Sequence, residues 1–398
     1  MQSKHIFLKD IYEVTPKQIS PRLQTFIYKR AANTITRFIQ NTVLRRSETL
    51  QNRINYYKSI QYYLKNVPFD NCLTPKVFKD TKGNVTNGFE LDSTLKLIKQ
   101  IGSKSVYGAV YQTAARSNIL SVATKLMPAN NRNKQEVILN TTTTQLVINK
   151  ITRHFLISYK TFKCNVKSNN TTFPNIIRNQ NYYISMNELA HGDLKQLCYN
   201  AMFLADDEIV CNIGIQCLLA IYTFHKLNYS HNDCHWGNFL YQKTKDSKGY
   251  YHYQIDGKNY YLKNCGYNMM IYDFGLSKIH KKPGHYRRTI EDYRLILNAF
   301  IKYTDGGIID MGSVPHSRIS KYMNSINNLL IDVLVKNIPE DTAFNQYMIP
   351  TFLSSPISGL FVETIPANEI VVNKNPFYID KNIYMPVTNP FTSPLQTP

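Results

Sequence analysis

Two short segments place carboxylates and amides where they could bind a metal ion and a hydroxyl group. Asp233 and Asn238 lie five positions apart in the run His-Asn-Asp-Cys-His-Trp-Gly-Asn, which begins at His231. Asp273 follows an apolar run and opens the tripeptide Asp-Phe-Gly. Carboxylate and amide oxygens suit Mg²⁺, and a carboxylate can take a proton from a hydroxyl. The two segments predict phosphoryl transfer, with Asp233 at the hydroxyl and Asn238 and Asp273 binding Mg²⁺.

Phosphoryl transfer also needs a cradle for the phosphates and a cation near them. Gly102 and Gly108 bracket a segment between two strand-like runs, and glycine lets backbone N–H groups approach phosphate oxygens. The residues expected to contact the nucleotide here are Gly102, Ser103, Gly108 and Val110. Lys125 lies 17 residues after Gly108 among apolar strand residues, where it could neutralise phosphate charge. The alternative for the glycine segment is a plain hairpin turn, and the alternative for Lys125 is a lysine that faces solvent.

A lysine buried in this way requires a carboxylate partner. Glu136 is the only acidic residue from position 126 to position 187, so elimination selects it, with a surface glutamate as the alternative. Glu188 ends a strand-like run just before Gly192 and is expected in a linker whose backbone contacts the adenine. His231 is expected to tie its loop to the segment around Asp273.

The elements that must position these residues follow from hydrophobic periodicity and turn signals. Predicted strands cover residues 95–101, 109–113, 119–126 and 182–186, and predicted helices cover 1–66, 134–150 and 207–227. Two aromatic runs, Tyr250–Ile255 and Tyr260–Leu262, flank Asp256-Gly257 and predict a β-hairpin. Residues 71–88 are predicted to be rich in turns, and about the last 25 residues to be poorly ordered or docked as an extended arm.

Charge is concentrated at the N-terminus. The chain of 398 residues has a formal net charge of +20, and residues 1–100 hold 17 Lys and Arg against 7 Asp and Glu, or +10. This bias favours a nucleic acid, an anionic lipid or an acidic protein as partner, and a solvated basic face is the alternative. Basic side chains are interleaved with apolar ones at Lys29, Arg30, Arg37, Arg45, Arg46 and Arg53.

Seven cysteines, an odd count without any Cys-x-x-Cys pair, argue against a disulfide framework and against a zinc knuckle. A reducing, intracellular setting is expected. No uncharged apolar run reaches about 18 residues, so no membrane span is predicted. The nearest run, 211–227, is interrupted by polar residues and is expected to be a buried helix.

Taken together, these motifs resemble those of the protein-kinase superfamily over about residues 91–300. The resemblance implies an α+β, bilobal fold with a β-rich N-lobe, a helical C-lobe and ATP with Mg²⁺ between them. By this likeness Lys125 anchors phosphates, Glu136 is its helix partner, and Asp292 braces the catalytic loop. The implied divisions are a basic, mainly helical extension (1–90), an N-lobe (91–190), a C-lobe (191–338) and a Pro/Asn-rich C-terminal extension (339–398).

More narrowly, the chain resembles serine/threonine kinases of large cytoplasmic DNA viruses. The runs that carry this likeness are Ser-Val-Tyr-Gly, the His-Asn-Asp-x-His-Trp-Gly-Asn loop and the Asp-Gly hairpin before Asp-Phe-Gly. The resemblance implies a serine/threonine protein kinase with a protein substrate. It also implies that the protein is located in the host cytoplasm or in the virion.

Several positions depart from the protein-kinase pattern. Asn232 replaces the arginine of His-Arg-Asp, so activation by a phosphate docked on that arginine is not expected. His235 replaces the catalytic-loop lysine, and its imidazole could still donate to a transferred phosphate. Only 19 positions separate Asp273 from Asp292, without an Ala-Pro-Glu signature, so the platform for peptides is expected to be reduced.

Two alternative functions also fit the sequence. Sugar and antibiotic kinases use a similar His-x-Asp-x4-Asn loop, so a small-molecule phosphotransferase fits the short segment after Asp273. A catalytically weak kinase fold that serves as a basic scaffold and binds nucleic acid fits the +10 of the first hundred residues.

Overall fold

The chain folds into a large antiparallel sheet, smaller sheets and helices, which gives the predicted α+β class. The structure is a computed structural model, and it describes residues 49–79, 85–93, 95–101, 108–115, 118–244, 247–279, 286–301, 318–380 and 391. The predictions for residues 1–48, including most of the basic segment, and for Gly102 and Ser103 of the cradle lie outside the described residues.

Helices and strands are numbered here in chain order. The helices are α1 (Leu50–Leu64), α2 (Asn131–Ile148), α3 (Leu194–Cys198), α4 (Ala201–Leu204), α5 (Asp207–His225), α6 (Tyr286–Leu297), α7 (Arg318–Val335), α8 (Glu340–Ala343) and α9 (Ile349–Leu353). The strands are β1 (Leu73–Lys79), β2 (Val85–Leu91), β3 (Leu95–Ile101), β4 (Ala109–Ala115), β5 (Asn118–Pro128), β6 (Ser158–Cys164), β7 (Tyr182–Glu188), β8 (Gly192–Asp193), β9 (Tyr229–Ser230), β10 (Phe239–Lys243), β11 (Tyr250–Ile255), β12 (Lys258–Lys263), β13 (Tyr267–Ile271), β14 (Lys278–Ile279), β15 (Phe361–Val362) and β16 (Phe377–Ile379).

A seven-stranded sheet in the order β1-β2-β3-β4-β5-β7-β6 forms the first half of the described chain. The predicted strands at 95–101, 109–113, 119–126 and 182–186 all lie in it, which confirms those assignments. The prediction of turns over residues 71–88 is wrong, because β1 and β2 occupy most of this stretch. The predicted boundary at residue 91 therefore falls inside the sheet, which begins at Leu73.

Helix α2 continues from β5 across a short turn, and Asn130 caps it. The side-chain oxygen of Asn130 accepts the N–H of Asn133 at 3.0 Å, which satisfies one of the free donors of the first turn. The sequence predicted this helix at 134–150, within a few residues of its observed span of Asn131–Ile148. Since α2 follows β5 directly, it can bring a side chain back toward Lys125 on that strand.

Helix α5 is the core of the second half. Among the described helices it is the one long and apolar enough to cross a membrane by length and composition, yet 89% of its apolar window is buried inside the protein. Its N-cap, Asp206, accepts the N–H of Ile209 at 3.0 Å. The prediction of a buried helix here is confirmed, and the helix leads through β9 into the loop that begins at His231.

The predicted hairpin is present as β11 and β12. Asp256 and Gly257 both have positive φ, 45° and 86°, as expected at a tight turn between two strands. The C-terminal segment completes this sheet, because β15 pairs with β12 and β16 runs parallel to β11. The predicted extended arm is thus docked at Phe377–Ile379, and residues 381–390 and 392–398 lie outside the described part.

One disulfide is present, contrary to the expectation drawn from the odd cysteine count. Cys72 and Cys164 are bonded across 92 positions of sequence. The five other cysteines are buried and free. Counting cannot reveal such a bond, because only the folded chain brings the segment before β1 to the end of β6. There Asp70 bridges Lys163, and the N–H of Asn71 donates to the carbonyl of Lys163 at 3.0 Å.

Candidate active site

Lys125 and Glu136 form a buried ion pair at the centre of the candidate site. The Nζ of Lys125 lies 2.6 Å from Oε1 of Glu136, and both side chains are less than a tenth exposed. Burial alone would lower the pKa of Lys125, but the charges of Glu136 and Asp273 outweigh it and raise that pKa. The lysine is therefore held as a cation, and the pairing inferred by elimination is observed.

Asp273 is the second carboxylate on Lys125. Its Oδ1 lies 3.1 Å from Lys125 Nζ, and its side chain is 23% exposed, so one face remains open. Burial would raise the pKa of Asp273, but Lys125 outweighs this effect and holds the pKa below its usual value. The backbone of Asp273 has a φ of 65°, a left-handed conformation that is uncommon for a residue with a side chain and is found at functional sites.

The ladder of β10 with β13 brings the two predicted metal ligands to one place. Phe239 pairs with Ile271, so Asn238 and Asp273 flank the same end of the ladder. The N–H of Tyr272 also donates to the carbonyl of Asn238 at 3.1 Å. Strand pairing thus positions an amide and a carboxylate that are 35 residues apart in sequence.

The loop between β9 and β10 fixes Asp233 and Asn238 against each other. The Nδ2 of Asn238 donates to the carbonyl of Asp233 at 2.9 Å and to its Oδ2 at 3.0 Å. These bonds define the orientation of the amide, so its oxygen is directed away from Asp233. The carboxylate of Asp233 stays about one-third exposed and is therefore accessible from solvent.

His235 stands at the exposed edge of this loop. Its Nδ1 accepts the N–H of Gly237 at 3.0 Å, so the ring proton of the neutral imidazole belongs on Nε2. That Nε2 lies 3.8 Å from Oδ2 of Asp233. His235 can therefore present one N–H donor beside the carboxylate.

Asp292 on α6 braces the loop from below. It accepts the backbone N–H groups of His231 at 2.7 Å and Asn232 at 2.8 Å. The Nε2 of His231 in turn donates to the carbonyl of Tyr272 at 3.0 Å, and burial lowers the pKa of His231, which keeps it neutral. The predicted link from the loop to the segment around Asp273 is thus observed.

The side chain of Asn232 holds its loop to the neighbouring backbone. Asn232 has a φ of 61°, which asparagine tolerates better than most residues. Its Nδ2 donates to the carbonyls of Ser230 and Leu276, both at 3.1 Å. The amide therefore connects the loop directly to the backbone that follows Asp-Phe-Gly.

The described part of the predicted cradle lies next to the lysine. A Cβ built on Gly108 would meet the carbonyl oxygen of Leu126 at 2.9 Å and Cε of Lys125 at 3.2 Å, so this position requires glycine. Val110 on β4 is the direct partner of Lys125 on β5, and side chains paired in this way share one face of the sheet. Both residues therefore border the site.

The side chain of Glu188 is held by the protein itself, and the contact of the linker backbone with the adenine stays a prediction. The carboxylate of Glu188 is buried and bonds to Arg53 on α1, with Nε to Oε1 and Nη2 to Oε2 both at 2.8 Å. It also accepts Gln242 Nε2 at 2.6 Å, and its backbone N–H donates to Ile157 at 2.8 Å. With these groups occupied, the side chain of Glu188 is a structural anchor and cannot reach a ligand.

The sequence did not reveal the residues that bind Asp292 and the backbone after Asp273. His225 lies between two carboxylates, with Nε2 3.0 Å from Asp292 and Nδ1 2.5 Å from Glu340 of α8. Arg132 and Gln135 on α2 donate to the carbonyls of Gly275 and Ser277 at 2.9 and 3.0 Å. A histidine in the last turn of an apolar helix was the available signal for the first of these contacts.

Phe274 anchors the segment after Asp273 in the core. Its ring is buried and stacks on Phe224 of α5 with centroids 4.8 Å apart, and it meets the edge of His231 at 5.5 Å. Phe274 therefore lies in the core directly after Asp273. Because one aromatic ring contacts both α5 and the loop, the positions of Asp273 and of the loop are coupled.

No protein-family model matches this chain. Among solved structures, the chain is similar to the kinase domain of PF14_0431, with 14% sequence identity and a TM-score of 0.34. That similarity covers 56% of this chain and 67% of the other chain. The observed architecture, a large antiparallel sheet followed by helices, is compatible with a kinase-like fold.

Proposed function

We propose that this protein is an ATP-dependent phosphotransferase of the serine/threonine protein-kinase type with a bilobal fold. The observation that carries the proposal is the cluster of Lys125, Glu136 and Asp273, together with the bond between Asp233 and Asn238. These side chains come from the sheet, a helix, a loop and a second sheet. A purely structural salt bridge would not require such a convergence of groups suited to phosphate, metal and hydroxyl.

The residues present fit Mg²⁺. The Nδ2 of Asn238 is taken by Asp233, and its amide oxygen accepts no hydrogen bond from any residue that the structure describes. Asp273 holds its charge and keeps an open face. Within the described residues no cluster of three or more His, Cys, Asp or Glu side chains could hold a metal by itself. Such sparse ligation suits Mg²⁺, which retains waters and is also bound by phosphates.

Each residue then has a definite role. Asn238 and Asp273 would hold Mg²⁺, which would neutralise charge on the phosphates of ATP. Lys125 places a permanent cation beside them, and Glu136 fixes its position. Asp233 orients the substrate hydroxyl and accepts its proton. The Nε2–H of His235 donates to the transferred group, which is the role that a lysine has in the protein-kinase pattern.

A phosphotransfer assay with labelled ATP tests this proposal on the purified protein, with basic and acidic protein mixtures as acceptors. We expect Asp233→Asn to lower kcat by about 10²- to 10⁴-fold, because it removes the proton acceptor. Asp207→Asn is the matched control, since Asp207 forms a surface pair with Arg318. Equal kcat in wild type and Asp233→Asn would refute the assigned role.

A small-molecule phosphotransferase is the second candidate. The observation in its favour is the separation of only 19 positions between Asp273 and Asp292, which leaves little chain for a peptide platform. The same assay distinguishes the two candidates. ATP turnover on small alcohols without any labelling of protein would replace the first candidate by the second.

A further inference from the structure

Arg53 has an unusual environment for a residue from a basic N-terminal segment. Its side chain is 1% exposed, and it is among the largest fully buried side chains of the described residues. Besides the paired bonds to Glu188, Nη1 donates to the carbonyl of Arg153 at 2.8 Å and Nη2 to that of Phe155 at 2.6 Å. Helix α1 is therefore fixed to the interior of the protein through one planar, multiply bonded cation.

The carboxylate that Arg53 holds stands where two sheets meet. Glu188 is the last residue of β7, and β7 pairs along its length with β5, the strand that carries Lys125. The same carboxylate accepts the amide of Gln242 on β10, the strand that directly follows Asn238. Glu188 thus connects the seven-stranded sheet to the three-stranded sheet β13-β10-β8 that positions the metal ligands.

We propose that Arg53 is a positioning residue for phosphotransfer, which holds Glu188 against Gln242 and so fixes Lys125 relative to Asn238 and Asp273. This inference rests on the proposed function. Nucleotide phosphates would be bound from both sheets at once, so the distance between the sheets decides whether the groups act together. A displacement near 1 Å can cost about 10²-fold in rate.

The test must separate positioning from mere stability. The double variant Arg53→Met/Glu188→Met leaves no unpaired buried charge, and replacing a buried ion pair by apolar residues is often neutral for stability. The link to Gln242 is nevertheless lost. We expect the variant to fold and to lose kcat by about 10²-fold at saturating ATP, with a smaller change in KM. Arg53→Lys, which keeps the charge without the planar fork, should lie between it and wild type.

Lys226→Met is the matched control. Lys226 is also a buried cation between carboxylates, 3.2 Å from Asp256 and 2.8 Å from Asp341. Neither carboxylate belongs to the seven-stranded sheet or to the sheet β13-β10-β8. Lys226→Met should lower the melting temperature and leave the kcat of the folded protein unchanged. A folded double variant with kcat within about twofold of wild type would overturn the positioning role.

A second readout does not depend on phosphotransfer. Hydrogen exchange of the backbone N–H groups in residues 231–238 should be faster in the folded double variant than in wild type, because β10 is released from Glu188. Unchanged exchange there would also overturn the proposal. If wild type itself transfers no phosphate from ATP, the proposed function fails, and exchange alone then decides the role of Arg53.

Discussion

Two buried cations of this protein, Lys125 and Arg53, both bind carboxylates, yet their clusters differ in how completely they are satisfied. Lys125 faces two carboxylates, those of Glu136 and Asp273, and Asp273 keeps an exposed face. Arg53 is paired with one carboxylate, that of Glu188. Each oxygen of Glu188 accepts a bond from Arg53, and the second partners are Gln242 and the N–H of Ile157.

This difference distinguishes the proposed binding site from a structural ion pair. A carboxylate whose acceptor positions are filled by the protein has nothing to offer a ligand, as at Glu188. A carboxylate that stays partly exposed, as at Asp273, can still bind a metal ion or a phosphate-bound metal. The left-handed backbone of Asp273 also favours a functional role for this residue, since strained residues concentrate where they serve function rather than stability.

The comparison predicts the largest loss of stability at the satisfied cluster. Glu188→Gln leaves the charge of Arg53 buried without its counter-ion, which should lower the free energy of unfolding by about 3–5 kcal/mol. Urea unfolding of wild type and variant measures this change. Glu208→Gln is the control, because its pair with Lys263 is about one-third exposed and should contribute about 1 kcal/mol or less. Equal effects of the two substitutions would contradict the distinction.

A smaller loss of stability and a larger loss of rate are expected at the open cluster. Asp273→Asn removes a carboxylate whose pKa Lys125 holds below its usual value, so the free energy of unfolding should fall. The fall should be smaller than in Glu188→Gln, because Lys125 keeps Glu136 as its partner. The rate of phosphotransfer should fall by about 10²- to 10³-fold, as when one preorganised electrostatic group is removed. Urea unfolding and phosphotransfer kinetics of this one variant measure the change in stability and the change in rate. A variant that loses as much stability as Glu188→Gln and keeps its kcat would reverse the assignment.

Local sequence was sufficient for the parts of the site that lie close together in the chain. The loop from His231 to Asn238 and the tripeptide at Asp273 carry their spacing within a few residues. Glu136 was found because no other acid was available in 62 positions. In each case the structure brings together residues whose types already limited the chemistry.

Strands β1 and β2 were missed because their glycine and proline suggest turns. Pro75 lies on β1, the edge strand of the sheet, where a missing N–H is tolerated. Gly88 on β2 is demanded by a close approach, since a Cβ there would meet the carbonyl oxygen of Leu97 at 2.1 Å. Both residues are compatible with the sheet, but this can be recognised only when the position of the neighbouring strand is known.

The partnership of Arg53 with Glu188 could not be read from local spacing, because 135 positions separate them. One signal was present. Arg53, Ile60 and Leu64 fall on one buried stripe of α1, so the arginine occupies a place that the helical period reserves for apolar residues. An arginine in such a stripe indicates a buried carboxylate elsewhere in the chain, without saying which one.

A third cluster, around His225, sharpens the comparison through its pH dependence. Burial alone would lower the pKa of His225, but Glu340 and Asp292 outweigh it and raise the pKa to about 9. In the unfolded chain the pKa returns to near 6.5. The stabilisation is therefore complete below about pH 6.5 and is lost as the pH rises toward 9. A difference of about 2.5 pH units corresponds to about 3 kcal/mol.

His225→Gln removes this titration while keeping polar groups near both carboxylates. The difference in the free energy of unfolding between wild type and variant should shrink by about 3 kcal/mol between pH 6 and pH 9.5. Urea unfolding at a series of pH values measures it, and subtraction of the variant removes the other titrating groups. Because Asp292 also holds the N–H groups of His231 and Asn232, wild-type kcat should decline over the same range. If the free energy of unfolding of wild type and of variant changed with pH in the same way, the charge on His225 would not stabilise the protein. His225 would then resemble the ion pair of Arg53, which does not titrate in this range, and its charge would have no part in bracing the loop.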